Sequence, residues 1–159
     1  MSNVRPHKHA YVVHYLNRLH SGGPEAVIFA TRKVALYKAL ERHVTSTQCA
    51  AIDEFALVLR VDGRLTQYGP EGTSRLRFAK ARRYITVDLQ IPESRWKPLF
   101  PDELDAYLVT QVRAGLEACC TRLERDGYEV HRTALMAQVA QGFNEFISKD
   151  ASEPSSSAA

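Results

Sequence analysis

The stretch from Arg82 to Gly127 constrains the fold of this chain more than any other. In YITVDLQIP, the residues Ile85, Val87, Leu89 and Ile91 alternate with Thr86, Asp88 and Gln90. That is the period of a strand with one buried face. Pro92 has no backbone donor and ends the ladder. After Pro101, the acids Asp102, Glu103 and Asp105 crowd a first helical turn, where the macrodipole favours negative charge. Leu104, Leu108, Val112, Leu116, Cys119 and Leu123 then recur at spacings of four and three, the stripe of a core-facing helix. Asp126-Gly127 stops that helix, with Gly127 as a left-handed cap.

Around this unit the pattern predicts a hairpin. Phe55, Leu57, Leu59 and Val61 alternate up to Asp62-Gly63, a dipeptide suited to a two-residue turn, and Leu65 and Gln67 continue as the return strand. Residues 74–79 form a third, edge strand and residues 84–91 a fourth. A final helix is predicted over 133–148, with Leu135, Val139, Phe143 and Phe146 on one face. Residues 24–43 read in two ways. Val27, Ile28 and Phe29 suit a short buried strand, followed by a Thr31-capped helix with Val34, Leu36, Tyr37 and Leu40 on its apolar side. The rival is a single helix from Pro24. Residues 11–19 fit a short strand or a helical turn equally well. Residues 1–9 and 149–159 are polar segments expected to be disordered, leaving 10–148 as one domain. The expected class is α+β, an antiparallel or mixed sheet of about four strands covered by two or three helices.

A chain of 159 residues, 45% hydrophobic and 25% charged, has the make-up of a single soluble globular domain. No apolar run approaches the roughly 18 residues of a membrane helix. The run from Ala10 to Val13 is broken by His14, too short for a signal peptide, so a cytoplasmic location without membrane association is expected. Three cysteines argue against a disulfide framework. Cys119 and Cys120 are neighbours on a helix and read as small buried thiols.

Signatures of chemistry are sparse. GGPEA and GPEGTS lack the lysine and the strand-to-helix setting of a phosphate loop. His7 and His9 form a His-x-His pair without a third ligand nearby. No cofactor or metal is expected, and no nucleophile–base pair marks an enzyme. Asp88 is conspicuous because strand interiors disfavour aspartate; it reads as a carboxylate offered to a ligand or as a surface acid paired with an arginine such as Arg60. Arg75, Arg77, Lys80, Arg82 and Arg83 cluster around Phe78 and Tyr84. Such a cluster can track a phosphate backbone, guard a strand edge against aggregation, or steer an acidic protein partner. The net charge of +3 is mild for a dedicated nucleic-acid binder, which favours the edge and partner readings. Trp96 is the single tryptophan, either an interface anchor or a lid that closes the core.

The succession DEFALVLRVDG, YGPEG, RLRFAKARRYITVDLQIPESRW and PDELDAYLVTQVRAGLEACCTRLERDG resembles a family of small α+β immunity proteins. These accompany bacterial polymorphic toxins, including those of contact-dependent growth inhibition systems. The resemblance covers about residues 27–147. It implies a non-catalytic protein that binds the toxin domain of its own system stoichiometrically. The surface expected to do so is Arg75, Arg77, Arg82, Arg83, Asp88 and Trp96; the alternative is a nucleic-acid-binding or regulatory module using the same basic cluster. Immunity proteins against nucleases are often acidic, whereas this chain has an isoelectric point near 8.8. The resemblance therefore implies a toxin that is not a nuclease, a contact beside the active site, or a local acidic patch such as Asp102, Glu103 and Asp105.

Overall fold

A computed structural model of the protein describes residues 23–60 and 72–157. The elements run α1 (Pro24–His43), β1 (Glu54–Arg60), β2 (Gly72–Ala79), a 3-10 turn (Lys80–Arg82), β3 (Tyr84–Gln90), a short α2 (Glu93–Trp96), α3 (Pro101–Arg125) and α4 (Arg132–Ser157). The class is α+β, with a mixed three-stranded sheet among the described residues in the order β1-β3-β2. The Asp62-Gly63 turn, the return strand at Leu65 and Gln67, the histidines His7 and His9, and the segments 1–9 and 11–19 lie outside the described residues.

β3 occupies the centre because both of its edges are paired. It runs parallel to β1, with Phe55 opposite Ile85, Leu57 opposite Val87 and Leu59 opposite Leu89. It runs antiparallel to β2, with Leu76 opposite Val87 and Phe78 opposite Ile85. The six apolar β1 and β3 residues of that face are buried, and α3 lies over them. All six residues of the expected α3 stripe are buried too. Gly115 sits where a side chain would not fit: a Cβ there would lie 2.9 Å from Leu89 Cδ2 and 3.1 Å from Leu57 Cδ2. Its absence lets helix and sheet approach closely. Gly127 ends the helix at φ +91°, as its sequence position predicts.

Residues 24–43 form one helix, so the rival reading of that segment holds. Gly23 at φ +109° turns the backbone and Pro24 supplies the first helical residue. Of the apolar triplet only Phe29 is buried; Val27 and Ile28 face solvent, as does Val34. α4 carries Leu135, Val139, Phe143 and Phe146 into the core as expected and packs across α1. Its backbone comes close at Gly142, where a Cβ would sit 3.2 Å from Leu40 Cα. The helix also continues to Ser157, through residues expected to form a disordered tail. Once a helix is nucleated, each further residue adds a backbone hydrogen bond at little cost.

Of the inter-helix ion pairs Arg32–Asp105, Arg42–Glu145 and Arg132–Glu124, the first is the most buried, and it joins α1 to α3. Arg32 on α1 grips Asp105 on α3 with both carboxylate oxygens, Nε to Oδ1 at 2.8 Å and Nη2 to Oδ2 at 2.9 Å. The same guanidinium lies 4.6 Å from the centre of the Phe146 ring on α4. Asp105 is 4% exposed. It therefore does not belong to a surface acidic patch; only Asp102 and Glu103 of that trio are exposed.

Candidate functional site

The basic cluster falls on β2 and on the turn that joins it to β3. Leu76 and Phe78 share the face of Val87 and Ile85 and are half-buried against the core. Phe78 meets Tyr128 edge-on, with ring centres 5.3 Å apart, and Lys80 Nζ lies 6.0 Å over the same tyrosine. Arg77 stands opposite Thr86, on the other face of the strand, and is exposed. The β2 register shifts between Thr73 and Leu76, and Arg75 stands in that irregular stretch. It too is exposed, with an interaction partner of its own.

The turn separates Arg82 from Arg83. Arg83 adopts the left-handed conformation, φ 58° and ψ 41°, which costs a non-glycine residue some strain. Its backbone carbonyl accepts from Asp53 N at 2.7 Å. Its guanidinium meets the Asp53 carboxylate at 3.2–3.3 Å and donates to the Ala50 carbonyl at 2.7 Å. Arg83 is thus a clasp between the β2–β3 turn and the loop before β1. Arg82 beside it points into solvent.

An open groove of about 450 Å³ runs along this edge, lined by Leu76, Arg77, Phe78, Tyr84, Thr86 and Arg122, among others. Arg122 belongs to α3 and donates to Asp126 Oδ2 at 2.9 Å. Sequence reasoning missed it, because an arginine on the polar side of a helix reads as part of a solvated face; the i,i+4 acid is consistent with that reading.

The commitments of the arginines divide the cluster. Arg32, Arg42, Arg83, Arg122 and Arg132 each hold a carboxylate, and Arg113 lies over the Phe143 ring at 5.2 Å. Arg77 and Arg82 stand apart: among the described residues neither has a hydrogen-bond, ion-pair or ring partner.

Two of the expected surface residues lie inside the protein. Asp88 is 1% exposed, and Gln90 beside it on the same face is equally buried. Both are engaged by partners, so Asp88 is not an acid displayed on the surface. Trp96 is 2% exposed and packs on Phe29, ring centres 4.5 Å apart. It closes the core, and its buried indole N–H has no acceptor among the described residues. The structure therefore brings together Arg75, Arg77, Arg82 and Arg83 at one edge and makes Asp88 and Trp96 interior residues, with Asp88 on β3 opposite the irregular stretch of β2 that holds Arg75.

The cysteines are buried thiols. Burial pushes Cys119 far above the ordinary thiol range and raises Cys120 to about 11, which removes nucleophilic character at neutral pH. Among the described residues no group of His, Cys, Asp and Glu side chains is arranged to hold a metal. No described helix is long and apolar enough to cross a membrane. No protein-family model, curated protein or solved structure matches this chain.

Proposed function

We propose that the chain is an immunity protein, which binds a cognate bacterial toxin domain stoichiometrically and neutralises it without catalysis. The observation that carries a binding role is the pair Arg77 and Arg82, exposed beside an open groove and uncommitted to any partner in the described protein. Arginine is enriched at interface hot spots, and uncommitted positive charge steers acidic partners. The toxin as partner comes from the sequence resemblance. The contact surface in this reading is Arg75, Arg77 and Arg82, with Arg83 holding the turn that displays them. A mildly basic surface of this kind fits a toxin whose contact region is acidic, which removes the need for an acidic patch.

The test is affinity capture of the tagged chain from its native host, with mass spectrometry before and after nuclease treatment. A single stoichiometric partner matching the C-terminal part of a large secreted protein supports the proposal, provided that co-expression of this chain protects cells from that domain. Loss of every partner on nuclease treatment, with binding that falls steeply as salt rises, contradicts it in favour of nucleic-acid binding.

A further inference from the structure

We infer that β2 receives an extended acidic segment of the protein partner, which adds as a further strand along its outer edge. This rests on the protein-partner reading above and specifies how the contact is made. β2 pairs with β3 on one side, and among the described residues no strand pairs its other side. An edge of this kind presents a row of backbone donors and acceptors that a second chain can complete. The irregularity between Thr73 and Leu76 blunts the first half of the strand. The regular part, from Leu76 to Ala79, is what an incoming segment can match.

The side chains select its chemistry. Arg77 projects from the middle of that regular part and Arg82 from the turn beyond its end, and neither is neutralised within the described protein. Alternate residues of an added strand face the same side as Arg77, where carboxylates fit best. The others face the side of Leu76 and Phe78, whose half-buried apolar side chains favour small apolar residues. The inferred occupant is a segment alternating acidic and apolar residues. Nucleic acid fits less well. Phe78 is half-buried with Tyr128 set edge-on to it, which makes it a poor stacking platform, and two uncommitted arginines make a short track for phosphates.

The experiment uses the full chain and a blocked alternating Glu-Val peptide, followed by backbone amide shifts and hydrogen exchange. The account predicts shifts and slowed exchange concentrated from Leu76 to Ala79, with binding weakened about tenfold or more in the Arg77→Glu/Arg82→Glu variant. A twin peptide with a methylated backbone carries the same charge but cannot pair as a strand. Equal binding of that twin, no response at β2, or displacement by oligothymidylate at the same amides each overturns strand addition. The captured partner separates this inference from the broader one. A partner retained by Arg77→Glu/Arg82→Glu overturns the edge contact and leaves the immunity reading standing. Failure to capture any partner removes the immunity reading whatever the peptide does.

Discussion

Arg32 and Arg77 are the same residue type put to opposite uses. Arg32 is 14% exposed and donates to both carboxylate oxygens of Asp105, with its guanidinium 4.6 Å from the centre of the Phe146 ring. Arg77 sits on an edge strand with no partner in the described protein. Three arginines on the helical side are paired with carboxylates, in Arg32–Asp105, Arg42–Glu145 and Arg132–Glu124. On the β2 side Arg83 is paired with Asp53 and Arg75 is engaged, but Arg77 and Arg82 have no partner among the described residues. Charge that a fold leaves uncompensated contributes little to stability and remains available for an outside partner. The comparison therefore separates arginines that hold the fold from arginines that are free to act.

The largest effect that sharpens this contrast is expected at Arg32. Arg32→Ala takes the two-pronged guanidinium contact away from the buried Asp105 carboxylate, which costs about 3 kcal/mol or more and lowers the melting temperature by roughly 6–12 °C. Thermal melts check it, and Arg32→Met combined with Asp105→Leu should recover much of the loss. A single variant that melts like wild type would break the contrast at its structural end.

Arg83 falls between the extremes. Arg83→Ala removes the contacts to Asp53 and Ala50 and should cost about 1 kcal/mol in chemical denaturation. Acid should act more gently on the helical pairs. The Arg42 hydrogen bonds hold the Glu145 carboxyl below its ordinary range, so the folded state binds that proton less readily than the unfolded state. Its contribution is complete above the unfolded carboxyl pKa near ~4.3 and fades as pH falls below it. Glu145→Gln should flatten that part of the stability–pH curve, and an unchanged curve would show the pair to be idle. The smallest effect belongs to the edge: Arg77→Ala and Arg82→Ala should each stay within about 0.5 kcal/mol of wild type. A larger loss in urea unfolding would mean that these residues serve the fold after all.

Periodicity made β3 and α3 legible, because each places one apolar face against the other. Ile85, Val87, Leu89 and Ile91 and the α3 stripe all lie where their spacing predicts. The edge position of residues 74–79 was legible too, through its basic residues. What could not be read depends on contacts distant in sequence. Asp105 looks like an ordinary first-turn acid until Arg32, 73 residues away, is placed against it. Asp88 and Gln90 read as the polar face of a strand, yet both are buried. The parallel pairing of β1 with β3 was hidden behind the Asp62-Gly63 turn signal, which speaks only for its immediate neighbours. At α1, Val27 and Ile28 suggested burial by residue type, whereas Gly23 and Pro24 set the backbone and left both residues facing solvent. For the site, sequence supplied the cluster but not its division into a clasping Arg83, an engaged Arg75 and the uncommitted Arg77 and Arg82.

The most direct test compares Arg77→Glu/Arg82→Glu with wild type, measuring the thermal melt and affinity for the captured protein partner side by side. The account predicts an unchanged melt with affinity reduced about tenfold or more. Undiminished affinity in a folded variant would contradict it and place the working surface elsewhere on the molecule.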